Sequence, residues 1–162
     1  RIYMLKGELI NLRPLEHSDL EFLYSIENNK DNWIFGSENK IFSYLDLENY
    51  IKNSSTDIKK DLQYRFVIDY NGKAVGFIDL FNYCIKSVDV GIIVANEYRG
   101  NGYAKEALKL LIEYSFSTLK VDDLCCTISN DNIASINFFT SFGFRFISTQ
   151  ENLTSYVLEN NL

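Results

Sequence analysis

Residues 64–118 restrict the fold more than any other part of the chain. A helical spacing of apolar residues ends before them, and strand-like segments replace it: Tyr64-Arg65-Phe66-Val67-Ile68, then 74–81, then 87–94. Asn71-Gly72 joins the first two and is a strong tight-hairpin signal, because that turn needs positive φ at its centre. The third segment ends in the apolar run Gly91-Ile92-Ile93-Val94, and a glycine-containing loop follows. Residues 102–118 then place Ala104, Ala107, Leu108, Leu111 and Ser115 on one stripe of a long amphipathic helix. Antiparallel hairpins that lead into a strand–loop–helix crossover point to a mixed sheet with helices on both faces.

The flanking segments fit that plan. Residues 9–12 read as a first strand closed by Arg13-Pro14. Ser18-Asp19-Leu20-Glu21 has capping-box spacing, which predicts a helix over about 19–28. A mixed segment over 29–40 holds the one tryptophan, Trp33, and 43–53 is helical, with Tyr44, Leu47 and Ile51 in phase. Further on, 124–129 reads as a strand, and Asn130 or Asp131 caps a helix through Phe142. Gly143 fits that helix's left-handed end, and 144–148 with 155–158 form a closing pair. The expected architecture is α/β (α+β): a mixed, mostly antiparallel sheet of about 6–7 strands, in one domain over residues 1–162.

Composition narrows the function. The chain has 162 residues, 46% of them apolar, enough for one core. No apolar run approaches the roughly 18 residues of a membrane span. Residues 1–8 carry no secretory pattern, so a cytoplasmic protein with no membrane partner is expected. Three cysteines, Cys84 and the adjacent Cys125 and Cys126, make a poor disulfide framework. With a single histidine, His17, no metal site is expected. A net charge of −6 disfavours nucleic acid and permits a cationic substrate.

The chemistry concentrates at residues 92–104, where a strand ends, a glycine loop turns and a helix begins. The first turn of a helix exposes unpaired N–H groups and partial positive charge. Glycines let the backbone approach a ligand, so the loop suits a phosphate or pyrophosphate. The P-loop pattern G-x-x-x-x-G-K-[ST] is absent. A dinucleotide loop G-x-G-x-x-G is imitated by Gly100 and Gly102, but Lys105 occupies the third position. That loop also belongs after the first strand of a βαβ unit, not after three antiparallel strands. NAD binding and a plain tight turn remain the alternatives.

Arg99-Gly100-Asn101-Gly102-Tyr103-Ala104 resembles the R/Q-x-x-G-x-G/A signature of the GNAT N-acetyltransferase superfamily. The likeness runs from Leu9 to about Phe144. Leu12-Arg13-Pro14-Leu15-Glu16 and Ser18-Asp19-Leu20 look like the opening of bacterial spermidine and ribosomal-protein acetyltransferases. Arg65–Ile68 and Gly76–Leu80 look like the family hairpin, and Asn132-x-x-Ser135 with Gly143-Phe144 matches its second crossover.

The resemblance implies a function and a site. The reaction is transfer of an acetyl group from acetyl-CoA to a primary amine, a polyamine such as spermidine being one candidate. A peptide N-terminus, or a CoA-binding sensor without catalysis, are the alternatives. Amides of Arg99, Gly100, Asn101, Gly102, Tyr103 and Ala104 wrap the CoA pyrophosphate, Ile92, Ile93 and Val94 pair with its pantetheine arm, and Asn132 contacts CoA. Asp89 stands where relatives commonly carry a glutamate and is the candidate base, a solvated strand carboxylate being the alternative. Glu27, Trp33 and Asp79 are candidates for the acceptor, the two carboxylates otherwise being surface charges. The family tyrosine that protonates the leaving sulfur falls at Phe139, which has no acidic proton. A homodimer is one assembly the resemblance allows.

Overall fold

The computed structural model describes residues 4–30, 40–54 and 57–161; Trp33 lies outside them. The elements in order are β1 (Leu5–Lys6), β2 (Asn11–Pro14), a 3-10 turn (His17–Asp19), α1 (Leu20–Glu27), α2 (Tyr44–Asn53) and α3 (Ile58–Asp61). Next come β3 (Tyr64–Tyr70), β4 (Lys73–Phe81), β5 (Ser87–Val94), a 3-10 turn (Asn96–Tyr98) and α4 (Tyr103–Ser117). The chain closes with β6 (Asp123–Ser129), α5 (Ile133–Ser141), β7 (Arg145–Gln150) and β8 (Leu153–Glu159). One eight-stranded sheet runs β1-β2-β3-β4-β5-β6-β8-β7. Every pair is antiparallel except β5 with β6.

This is the expected mixed sheet with helices on both faces, with more strands than the six or seven predicted. β1 has two residues, too few to show a period. Strand alternation sends Phe66, Ile78, Leu80, Val88, Val90 and Leu124 to one face, where Ala107, Leu108 and Leu111 of α4 and Phe139 of α5 cover them. Val67 and Phe77 point the other way, against Leu23 and Ile26 of α1 and Leu47 and Ile51 of α2. The hairpin turn has Asn71 at φ 51° and Gly72 at φ 86°, as Asn-Gly demands. Asp69 adds a bond to it by accepting from Gly72 N–H at 2.7 Å.

Two helix starts differ from the sequence reading. Ser18 does not cap α1. Asp19 instead accepts from Glu16 N–H at 2.8 Å, and Arg13 holds its carboxylate through two bonds of 2.9 Å. Arg13 also reaches Asp69 at 2.6 Å, so it ties β2, the start of α1 and β3 together. Glu16 is the N-cap of the 3-10 turn that leads into α1, so Ser18 lies inside that turn and not at a cap position. At α5 the cap is Asn132, not Asn130 or Asp131; its Oδ1 accepts from Ser135 N–H at 3.2 Å. Asn130 accepts from the buried Thr154 hydroxyl at 2.5 Å and is unavailable as a cap.

Glu106, in the first turn of α4, fixes the helix to the β1–β2 loop. Its carboxylate accepts from the N–H groups of Glu8, Leu9 and Ile10 at 2.6–3.1 Å. The packing is tight enough that a Cβ added at Gly7 would stand 2.8 Å from Glu106 Cδ. Glu106→Gln puts an N–H donor where an acceptor is needed. We expect it to cost about 1–2 kcal/mol, read as a lower urea midpoint at unchanged slope. An unchanged midpoint would show the clamp to be dispensable.

Candidate active site

β5 and β6 pair only at Ser87–Asp123, Val88–Leu124 and Asp89–Cys125. Beyond Asp89 the strands part. β5 stays paired with β4, while β6 continues along β8. An edge of backbone therefore opens inside the sheet. Ala95 N–H donates to Val75 O at 2.9 Å, which sets the alternation: Ile93 and Gly91 bond toward β4, and the amides of Val94 and Ile92 face the gap.

A loop held in one shape stands at the end of this edge. Gly100 and Gly102 have φ of 81° and 85°, a region costly to any side chain. Arg99 Nε donates to Val94 O at 3.0 Å, and Asn101 Nδ2 donates to Tyr98 O at 3.0 Å. The first intrahelical bond of α4 is Glu106 N–H to Gly102 O at 3.2 Å. The amides of Tyr103, Ala104 and Lys105 before it have no acceptor within the helix and supply anion-binding donors.

Edge and loop border one cleft of about 430 Å³. Ile92, Ile93, Val94, Arg99, Gly100, Gly102, Tyr103, Ala104 and Asn132 all line it. Of the predicted cofactor residues only Asn101 does not; it is exposed and braces the loop from outside. Tyr98, Lys105, Ala134, Ser135 and Phe138 also line the cleft and were given no cofactor role from sequence. The last three lie on α5 beyond Asn132, and helical phase from that cap could have found them. Asn132 caps α5 through Oδ1 and is also one of the residues that line the cleft.

Asp89 is the last residue before the strands part, on the face away from α4 and α5. Partial burial raises its carboxyl pKa, and the Asn82 amide opposes the rise by donating to Oδ2 at 2.9 Å. Its neighbour Cys125 is no rival as a reactive group, because burial pushes that thiol up to about 11. Cys126 is buried on the other face, where its thiol rises to about 12.

A strand pair that splays beside a glycine-turned helix start is a distinctive geometry, and comparison with known families agrees with it. The model of the acetyltransferase (GNAT) domain matches residues 10–145. The chain belongs to the GNAT acetyltransferase family. It is similar to the spermidine N(1)-acetyltransferase of Escherichia coli K12, 28% identical over 144 residues that cover 87% of this chain and 75% of that one. Its fold superposes on that of a probable acetyltransferase with a TM-score of 0.85, at 23% identity, over 98% of this chain and 97% of the other. A spermidine N-acetyltransferase from Vibrio cholerae in complex with CoA and spermine gives a TM-score of 0.79 at 22% identity, over 93% and 94% of the two chains.

One feature sets this GNAT acetyltransferase apart from its sequence reading. Glu27 and Asp79 are not separate surface charges. Arg65 joins them: Nη1 meets Glu27 at 2.7 Å, while Nε and Nη2 grip Asp79 at 2.7 and 2.8 Å. Arg65 and Asp79 are cross-strand partners, and the guanidinium packs 4.9 Å from the centre of the Phe77 ring. Two carboxylates sharing one guanidinium leave one net negative charge on the sheet face that carries Asp89. Arg65 was missed because its meaning depends on register, which sequence alone leaves open. Phe139 is 4% exposed, with Phe138 and Phe144 edge-on at 5.4 and 5.2 Å. It walls a small hollow between the parted strands and is otherwise core.

Proposed function

We propose that this GNAT acetyltransferase moves an acetyl group from acetyl-CoA to the primary amine of a small cationic acceptor, a polyamine such as spermidine being the first to test. The observation that carries the reading is the departure of β5 from β6 after Asp89, directly beside the Gly100–Gly102 helix start. Phosphate needs converging amides, and a pantetheine arm needs an unpaired strand edge; the cleft supplies both. The 28% identity to a spermidine acetyltransferase and the net negative charge around Arg65 support the acceptor class.

Each residue has a task. Amides from Gly100 to Lys105 hold the diphosphate, with Asn132 as a further donor. Ile92 and Val94 align the arm through their backbone. An alkylammonium with pKa near 10.4 is neutral in only about one molecule in ~10³ at pH 7. Asp89, directly or through a water, takes its proton. The freed nitrogen lone pair attacks the thioester carbon, and Val94 N–H stabilises the oxygen charge that develops. The nitrogen, positively charged once the C–N bond has formed, loses its second proton to solvent, the C–S bond breaks, and CoA leaves as thiolate. A thiol with pKa near ~8.5 can leave without a donated proton, which accommodates Phe139.

Thiol release from acetyl-CoA against a panel of amines and peptides tests the reaction, and a thermal shift with CoA and with NAD tests the site. We expect a polyamine to give release and CoA alone to stabilise the fold, by about 2.7 kcal/mol at one hundred times its Kd. Stabilisation by NAD and not by CoA would sink the reading. Preference for peptide N-termini would move the acceptor class and keep the chemistry.

A further inference from the structure

Gly76 lies in β4 opposite Val94, the last residue of β5. Pairing with β3 slips at this point: Ile68 faces Gly76 and Asp69 faces Ala74, so Val75 is one residue too many. Such a bulge bends its strand and re-aims the groups beside it. Here it lets Val75 O receive Ala95 N–H at 2.9 Å, past the end of β5. It also brings the two backbones unusually close. A Cβ added at Gly76 would stand 2.3 Å from Ile93 O and 3.0 Å from Val94 Cα. Non-bonded carbons prefer about 3.5–4.0 Å, so any side chain at this position must displace that backbone.

The displaced unit is the peptide that joins Ile93 to Val94. In a trans peptide the C=O and N–H point in opposite directions. The same plane that presses Ile93 O against Gly76 therefore aims Val94 N–H away from β4, into the cleft. Other glycines of the region carry no such constraint: a Cβ at Gly91 would make an ordinary 3.5 Å contact with the Phe81 ring, and one at Gly100 would meet nothing.

We propose that Gly76 is a positioning residue for acyl transfer: its missing side chain seats the Ile93–Val94 peptide deep against β4 and thereby fixes where Val94 N–H stands. The proposal rests on reading the cleft as the acyl-CoA site. Gly76 touches neither ligand nor reacting atoms; it acts through the peptide it admits. The displaced peptide also aligns the pantetheine arm, and Arg99 Nε ties the loop to Val94 O at 3.0 Å, so cofactor affinity falls as well, but far less than turnover, because the helix-start amides that hold the diphosphate are not moved directly.

The test compares the parent with Gly76→Ala. Calorimetric titration with CoA gives Kd, and thiol release from acetyl-CoA with the most active amine of the panel gives kcat. A parent that does not bind CoA defeats the functional reading itself. With a binding parent, we expect Gly76→Ala to keep the CoA Kd within about threefold and to lose at least about tenfold in kcat, since an ångström-scale misplacement can cost ~10². A kcat within about threefold of the parent overturns the proposal, as does an equal loss in both quantities, which marks general loosening. If Gly76→Ala does not fold, the amide spectrum of the parent decides. Val94 N–H should shift more with acetyl-CoA than with CoA, and an equal response to both refutes the assignment.

Discussion

Replacing Asp89 by asparagine is expected to lower kcat by ~10²–10⁴-fold, the usual contribution of a positioned general base, with the Kd for CoA unchanged. Asparagine keeps the size of the side chain and an oxygen for the Asn82 amide, which now donates at 2.9 Å, but it cannot take a proton from the acceptor. The pH dependence follows from burial, which raises the Asp89 pKa. Activity in the parent should fall as pH drops through that raised value, and the limb should vanish in the variant. Stability carries the opposite sign. With its folded-state pKa raised, the native protein holds the Asp89 proton more tightly than the unfolded chain does. That contribution is whole below the unfolded pKa and is lost as pH rises through the folded one. At neutral pH the Asp89→Asn variant should therefore have a Tm at or above the parent's. A slower enzyme with no loss of stability is the signature of a base kept at a cost to the fold. An unchanged kcat across the pH range removes Asp89 from the chemistry.

Gly102→Val is expected to weaken CoA binding on the order of 10²-fold. A left-handed conformation costs an L-residue roughly 1–2 kcal/mol, and a branched side chain more. Gly102 sits at φ 85°, and an added Cβ would meet only Leu9 Cδ2, at 3.9 Å. Room exists, so the backbone rather than crowding is at fault. Valine would rotate out of that region and turn the amides of the first turn away from their common focus. Gly143→Ala provides the comparison. That residue also has positive φ, 96°, but follows α5 and is not among the residues lining the cleft. Both variants should lose stability in urea, and only Gly102→Val should lose CoA. Equal Kd values for the two would show that the loop does not hold the cofactor.

The fold was legible wherever local signals and periodicity agreed. Asn71-Gly72 announced its hairpin, and the stripe from Ala104 to Ser115 announced α4 within a residue of its ends. The turn at 99–104 was legible as a strand–helix junction because its two glycines mark positive φ, at 81° and 85°. What escaped depends on pairing between distant segments. β8 lies between β6 and β7, a placement fixed by its seven pairs with β6. Arg65 looked like one more strand charge until register set it against Asp79 and the α1 face brought Glu27. Ser18 is no cap because the turn into α1 starts two residues earlier, at Glu16, where Arg13 of β2 braces Asp19. The bulge at Val75 was invisible for the same reason: an extra residue exists only relative to a partner strand.

The sheet is stitched across its middle by three parallel pairs, while β4–β5 and β6–β8 are bonded along most of their lengths. It is thus two stiff panels meeting at a narrow seam. Ile92–Val94 and the glycine loop belong to one panel, and Asn132, Ser135 and Phe138 to the other, yet all border the same cleft. A guest lodged there acts as a splint, and cohesion of the whole becomes tied to its concentration.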